Sequence, residues 1–390
     1  MSLVDLYRDL HQHPELSFQE TRTAAIAAER LRAAGFDTTE GVGGTGVVGV
    51  LRNGPGPTAL LRADMDALPV LEDTGLEYAS TARGVDRDGH DVPIAHACGH
   101  DVHVSCLVGA TAELAAAQET WSGTLLAVFQ PAEELATGAR AMIDDGLFDR
   151  FPVDAVYAMH NWPHLPAGVI GVNNGPMMAA ADFVEICIQG RGGHGAHPHL
   201  AVDPVLVAGH IITAAQSIVS RNVNPLDSAV VSLCAMRAGD LGASSVIPRE
   251  VRLSGTVRSF RRDVQDMLEE RLARLVDSIA MAFGATASLT YRRHYPATVN
   301  TASEAKFAAD TAAALVGPEK VVRDLPPSMG SEDFSFMLQT RPGAYLRLGQ
   351  GNEGGCFLHS SRYDFNDAVL PLGAALFASL VERAMPLTPS

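Results

Sequence analysis

The chain has 390 residues, 47% of them hydrophobic, which is too long for one ordinary domain and rich enough for two packed cores. Its formal charge of −16, with Lys306 and Lys320 as the sole lysines, argues against nucleic acid or an anionic membrane as partner. No apolar run approaches the roughly 18 residues that span a bilayer, and residues 1–10 are charged, with no apolar leader segment. Five cysteines at irregular spacing do not form a disulfide framework. The expectation is a reduced, cytoplasmic protein in which Cys106, Cys187 and Cys234 are small core residues.

The predicted elements alternate. Residues 15–34 read as an amphipathic helix stopped by Gly35. Strands follow at 45–51 and 58–62, the second running into Ala63-Asp64-Met65-Asp66. An apolar helix covers 102–117. The strand at 124–129 ends in Gln130-Pro131-Ala132-Glu133-Glu134, and the strand at 154–159 ends in His160. Apolar strands that stop at carboxylates or imidazoles, alternating with helices, predict an α/β domain with a largely parallel sheet and a site beyond the strand ends.

The texture then changes. Strands at 183–189, 228–237, 250–259 and 286–293, with helices at 201–221 and 261–283, give the order βαββαβ, a ferredoxin-like module. From 296 the first style returns, with a helix at 302–315, a turn at Gly330-Ser331-Glu332-Asp333 capped by Ser331, a strand at 345–348 and a helix at 367–383. The predicted organisation is a discontinuous catalytic domain (1–179 and 296–390) interrupted by an inserted domain (180–295).

The densest chemistry is His96-Ala97-Cys98-Gly99-His100-Asp101-Val102-His103, three imidazoles, a thiol and a carboxylate in eight residues. These are ligand types for borderline divalent metals. Placed at a helix start, the cluster suggests Asp101 as cap and a Cys98 thiol with a lowered pKa. A lone Cys-x-His pair is weak evidence, so the case rests on distant partners: Glu134, His160 and His359. Five candidates exceed the three protein ligands of one catalytic zinc and fit two metals sharing a water. Glu-Glu pairs are commonly solvated, but this one follows a buried strand, so Glu134 can bind metal while Glu133 acts as general base.

Five motifs now stand in order: Asp9-Leu10-His11-Gln12-His13-Pro14-Glu15, Ala63-Asp64-Met65-Asp66-Ala67-Leu68-Pro69, the Cys98/His100 cluster, Gln130-Pro131-Ala132-Glu133-Glu134, and Gly192-Gly193-His194-Gly195-Ala196-His197-Pro198-His199. Together the chain resembles the aminoacylase, hippurate hydrolase and auxin-conjugate amidohydrolase branch of the M20 metallopeptidases. The resemblance implies a phosphorylase/hydrolase-like catalytic fold with an inserted lid and dimerisation domain, and hydrolysis of N-acyl amino acids. It implies Cys98, His100, Glu134, His160 and His359 as ligands of two divalent metals, zinc first, with manganese, nickel or cobalt open. It implies Glu133 as base and proton donor, Asp66 as orienting acid, and His194 as an oxyanion donor that crosses a homodimer interface. Arg258 is implied as the grip on a substrate carboxylate. Relatives carry Asn where this chain has Ser245, so substrate contacts there differ. A dipeptidase or carboxypeptidase on the same scaffold is the nearest alternative, and a non-catalytic metal-binding protein a remote one. His11 and His13 read as structural, and His96, Asp101 and His103 as supports for the ligands.

Overall fold

A computed structural model describes residues 2–351 and 356–387. Helix α1 (Leu3–Gln12) precedes the first predicted helix. Ser2 and Asp5 form its capping box, and Leu6, Tyr7, Leu10 and His11 make its buried face. The charged residues noted at this terminus lie on the other side. Helix α2 (Thr21–Ala33) is shorter than the predicted span. Its start is fixed by Glu15, whose carboxylate accepts the N–H groups of Arg22 and Thr23 from outside the helix. Strands β1 (Asp37–Val42), β2 (Gly46–Asn53) and β3 (Thr58–Asp64) follow, then α3 (His100–Ala116), β4 (Gly123–Gln130), α4 (Gly138–Asp144), β5 (Ala155–Trp162) and β6 (Ile170–Gly171).

Residues Met178–Thr298 and Pro327–Glu332 make a second compact unit with its own core. It contains β7 (Ala180–Gln189), α5 (Pro204–Asn222), β8 (Ala229–Ala238), β9 (Glu250–Ser259), α6 (Arg262–Ala282) and β10 (Thr286–Tyr295). The strands form an antiparallel sheet in the order β8-β9-β7-β10, which is ferredoxin-like. Val184, Ile186 and Ile188 alternate inward along β7, as a half-buried strand requires. The same alternation turns Cys187 to the open face, and Cys234 sits exposed at a register shift of β8. Of the three cysteines expected in a core, Cys106 alone is buried.

The chain returns to the first unit through α7 (Ala302–Val316), β11 (Val321–Val322), α8 (Phe334–Thr340), β12 (Gly343–Gly349) and α9 (Leu370–Ala384). The first helical cap of α8 is Asp333, not the predicted Ser331, whose hydroxyl instead accepts a hydrogen bond from Arg258 at 2.8 Å. Among the described residues the main sheet has eight strands, ordered β1-β2-β4-β3-β5-β12-β6-β11. Its centre, β4-β3-β5-β12, is parallel, so the carboxyl ends of four strands share one edge. Helix α3 lies on this sheet among α1, α2 and α9 and is buried without a break from His100 to Val108. A helix wrapped on all sides brings its first turn, and the imidazoles on it, into the protein interior.

Candidate metal centre

The cluster is built on one glycine. Gly99 is the N-cap of α3 at φ +83, and a Cβ there would lie 2.5 Å from Asn161 Oδ1 and 2.7 Å from Tyr363 Oη. Only glycine permits the turn that sends Cys98 and His100 to the same side. Asp101 does not cap α3. It lies in the first turn, where its carboxylate accepts the Val102 N–H and bonds His11 Nδ1 at 2.7 Å.

The five predicted ligands converge at the carboxyl ends of the parallel strands. They fall into two donor groups, Cys98–His100–His160 and Cys98–Glu134–His359, within each of which the ligand atoms lie inside 4.8 Å of one another. Cys98 belongs to both. Cys98 Sγ is 3.5 Å from His160 Nε2, and Glu134 Oε1 is 3.3 Å from His359 Nε2. Two ligands held at about 2.3 and 2.0 Å from one tetrahedral ion stand about 3.5 Å apart, so both separations suit a shared ion. His160 donates Nδ1–H to the Asn161 carbonyl at 2.7 Å, which leaves Nε2 as the lone-pair nitrogen facing Cys98. His100 Nε2 and Glu134 Oε1 are buried with no hydrogen-bond partner, as atoms reserved for a cation are.

The electrostatics agree. Burial works against charge on His100, yet Asp64, Asp66 and Glu134 raise its pKa to about 10, so this pocket draws positive charge. His160 is pushed well below the usual imidazole range by burial and by His103, which keeps it neutral. Cys98 overturns the expectation of an acidic thiol. Burial first, then Glu134 and Glu133, push its pKa well up, and these outweigh the helix end. Its thiolate therefore needs a neighbouring dication, which deprotonates a coordinated thiol outright. Residues 352–355 lie outside the described residues; His359 itself is placed, in a left-handed conformation at φ 66.

Glu133 and Glu134 sit on a tight turn whose amides are held by buried carboxylates. Asp66 Oδ1 accepts the Glu133 N–H at 3.0 Å, and Oδ2 accepts the Glu134 N–H at 3.1 Å. Asp66 also accepts from His100 Nδ1 at 3.2 Å and from the Ser17 hydroxyl at 2.6 Å. Burial alone would raise its pKa, but the bonds from His100, Ser17 and Glu134 keep it below the ordinary carboxylate range. Glu20, unrecognised in the sequence, accepts the Ala132 N–H at 2.8 Å and is pushed up to about 7 by burial and by Asp66. His103 bonds Asp64 through Nδ1 and faces Asn161 Oδ1 at 2.8 Å through Nε2, a supporting position. His96 is buried beside the cluster and is depressed to about 4 by desolvation.

His11 turns out to be a buried clamp. Its ring is bonded to Asp101 at 2.7 Å and Glu72 at 3.2 Å, tying the start of α3 to the loop that carries Glu72. Burial disfavours its charge, but the two carboxylates raise its pKa to about 10. A raised folded-state pKa stabilises the fold fully below the unfolded value of about 6.5, and the gain is lost as pH climbs toward 10. We expect the stability gap between parent and His11→Gln, from urea melts, to shrink by a few kcal/mol between pH 6.5 and 10. A gap that stays constant over that range would rule out a charged clamp.

The remaining predicted residues lie in the second unit. His194 is exposed, and its Nδ1 accepts the Ala196 N–H at 3.0 Å. The structure brings it beside the Ser245 segment. His194 pairs with Val246, and the Ser245 carbonyl accepts the Gly195 N–H at 2.7 Å. Ser245 thus supports the His194 turn through its backbone. Arg258, on β9, is half-buried, and desolvation lowers its pKa.

A parallel sheet whose strand ends carry two metal-donor groups, with Glu133 beside Glu134 of one of them, is the arrangement of a metal-dependent hydrolase. The chain matches Peptidase family M20/M25/M40 over residues 60–383 and belongs to that family. It is 40% identical to a hippurate hydrolase of Campylobacter jejuni, covering 95% of this chain and 93% of that one. It is 37% identical to thermostable carboxypeptidase 1 of Saccharolobus solfataricus, covering 98% and 95%. Among solved structures it superposes on the YXEP protein of Bacillus subtilis, a dinuclear metal-binding M20 peptidase, with TM-score 0.83 at 32% identity over 97% and 96% of the two chains. The chain is a metal-dependent amidohydrolase of the M20 type that acts on small molecules and uses divalent metal. No helix among the described residues is long and apolar enough to cross a membrane.

Proposed function

We propose that this enzyme hydrolyses N-acyl amino acids, releasing a carboxylic acid and a free amino acid. The observation that carries the reading is the pair of donor groups sharing Cys98, with Glu133 next to one of their ligands. Two divalent cations there, zinc before manganese, nickel or cobalt, would supply Lewis acidity and an acidified water. Cys98 would belong to both ions, His100 and His160 to one, Glu134 and His359 to the other. Glu133 takes the proton of the attacking water and returns it to the leaving nitrogen. Asp66 fixes the Glu133 and Glu134 amides and the His100 tautomer. A guanidinium fork suits a carboxylate, which supports Arg258 as the substrate's anchor.

A homodimer in which His194 serves the partner's site is supported by the second unit. Strand β8 is an edge strand without a charge from residue 229 to 236, where edges kept apart carry charges. Apart from Arg221 in its last turn, the exposed positions of α5, among them Val205, Leu206, Thr213 and Gln216, also lack formal charge. The residues 178–298 are then an inserted dimerisation domain. A reduced, cytoplasmic setting suits the buried free thiols Cys98 and Cys106.

The relative named a carboxypeptidase supports a second reading, cleavage of a peptide bond between amino acids. The two are separated by products. Metal-loaded enzyme given N-acetyl, N-benzoyl and longer acyl amino acids alongside dipeptides should release one amino acid per turnover from the acyl series and work faster on it. Preference for dipeptides, with two amino acids per cut, would overturn the first reading.

A further inference from the structure

Asp333 comes from the far end of the sequence yet lies buried against Glu133, with no exposed surface. Its backbone N–H donates to Glu133 Oε1 at 3.2 Å. Its side chain grips both ends of the turn that carries Glu133. Oδ1 accepts from Gln130 Nε2 at 2.7 Å, and Oδ2 accepts the Ala139 N–H at 2.9 Å. Oδ1 also accepts from Arg62 Nη2 at 3.0 Å.

Arg62 is almost wholly buried and distributes this hold. Its Nε donates to Gln130 Oε1 at 2.8 Å and its Nη1 to Asp64 Oδ2 at 2.6 Å. Asp64 in turn holds His103, so one hydrogen-bonded path joins the support of Glu133 to the support of the His160 strand through Asn161.

The turn needs such a hold. Ala132 and Ala136, on either side of Glu133–Leu135, are both left-handed without being glycine, at φ 49 and 56. Such conformations are unfavourable for a residue with a Cβ and persist only where the surroundings impose them. The turn is also closed on itself, since a Cβ at Gly138 would lie 1.5 Å from the Pro131 carbonyl oxygen.

We propose that Asp333 is a positioning residue for the reaction. It pins one oxygen of the Glu133 carboxylate with its amide and fixes the strained turn with its side chain, so that Glu133 meets the water in one orientation. The proposal rests on reading Glu133 as the base. The competing role is structural, a buried partner that only offsets the Arg62 charge.

The test is Asp333→Asn, which keeps the size and the amide but sets an NH₂ against donors. It is made in the parent and in a Glu133→Asp background, both metal-loaded. We expect kcat to fall about tenfold or more in the parent, with KM and metal content within about twofold. In Glu133→Asp, where the carboxylate has already been moved, the same change should cost about threefold or less, the coupling expected of residues acting as a unit. Gln130→Met, which removes one bond to Asp333 and one from Arg62 Nε but leaves the Arg62–Asp333 contact itself, should show the same pattern at smaller size. It serves as the test if Asp333→Asn does not fold. An equal loss in both backgrounds, or a loss confined to stability or metal content, overturns the proposal. If Glu133→Gln keeps the parent's rate, the base reading falls first; if Glu133→Gln is inactive and Asp333→Asn behaves alike in the parent and in Glu133→Asp, the proposal alone falls.

Discussion

Glu133→Gln should bind its metals as the parent does and turn over about 10²–10⁴ times more slowly, the usual share of a general base. The structure makes this substitution clean. Glutamine keeps an oxygen to accept the Asp333 N–H, and the backbone bond from residue 133 to Asp66 does not depend on the side chain. Metal content should hold because Glu134, not Glu133, completes the donor group with Cys98 and His359. The check is kcat beside metal stoichiometry on the same preparation. A variant that loses an ion along with activity would make Glu133 a ligand, and one that keeps its rate would leave the reaction without this base.

Asp66→Asn should be nearly as damaging by another route. Four donors converge on this one buried carboxylate: Ser17 Oγ, His100 Nδ1 and the amides of residues 133 and 134. An amide side chain can accept on one side only, so its NH₂ must face two of those donors wherever it turns. Either His100 loses the acceptor that fixes its tautomer or the Glu134 turn loses its anchor. Partners of this kind are worth about 10–100-fold in metal affinity, and we expect a loss of that size when metal is titrated against a competing chelator. Unchanged affinity would show that Asp66 does not govern the ligands.

The sequence made the sheet and the donor set readable for a common reason. Buried parallel strands must be apolar, and their carboxyl ends must meet the site, so β3 and β4 announced themselves by ending at Asp64 and Gln130, and β5 by carrying His160 near its end. Strand β9 was placed to the residue because both its faces alternate cleanly. The misses have equally specific causes. Strands β6 and β11 have two residues each, too short for any period. Helix α1 was hidden by its charged outer face, although Leu6, Tyr7 and Leu10 carried the inner spacing. The Cys98 expectation counted a helix end and left out burial, which the flanking apolar residues already signalled.

Supporting acids were the least visible. Glu20 and Asp333 act through backbone amides more than a hundred positions away, at Ala132 and Ala139 in the case of Glu20 and Asp333 respectively, and no local pattern records that pairing. Asp333 stood in an acidic pair before an apolar helix whose cap was read as Ser331, and nothing local marked it further. The candidate ligands stood out because their chemistry is distinctive. Their supports are ordinary aspartates and glutamates, distinguished only by where the chain folds them.

The interruption of the first unit also sets an order of assembly. Strand β5, which carries His160, pairs on one side with β3 and on the other with β12, in a register that joins Val156 to Gly343 and Trp162 to Gly349. At about 5–20 residues per second, the roughly 190 residues between those partners take about 10–40 s to synthesise. Within that interval the sheet, helices and core of the second unit are all made, by Thr298, while the inner edge of β5 has no strand to bond. The proposed metal centre is therefore among the last parts of the molecule that can form, and it is sealed by one of the last strands to leave the ribosome.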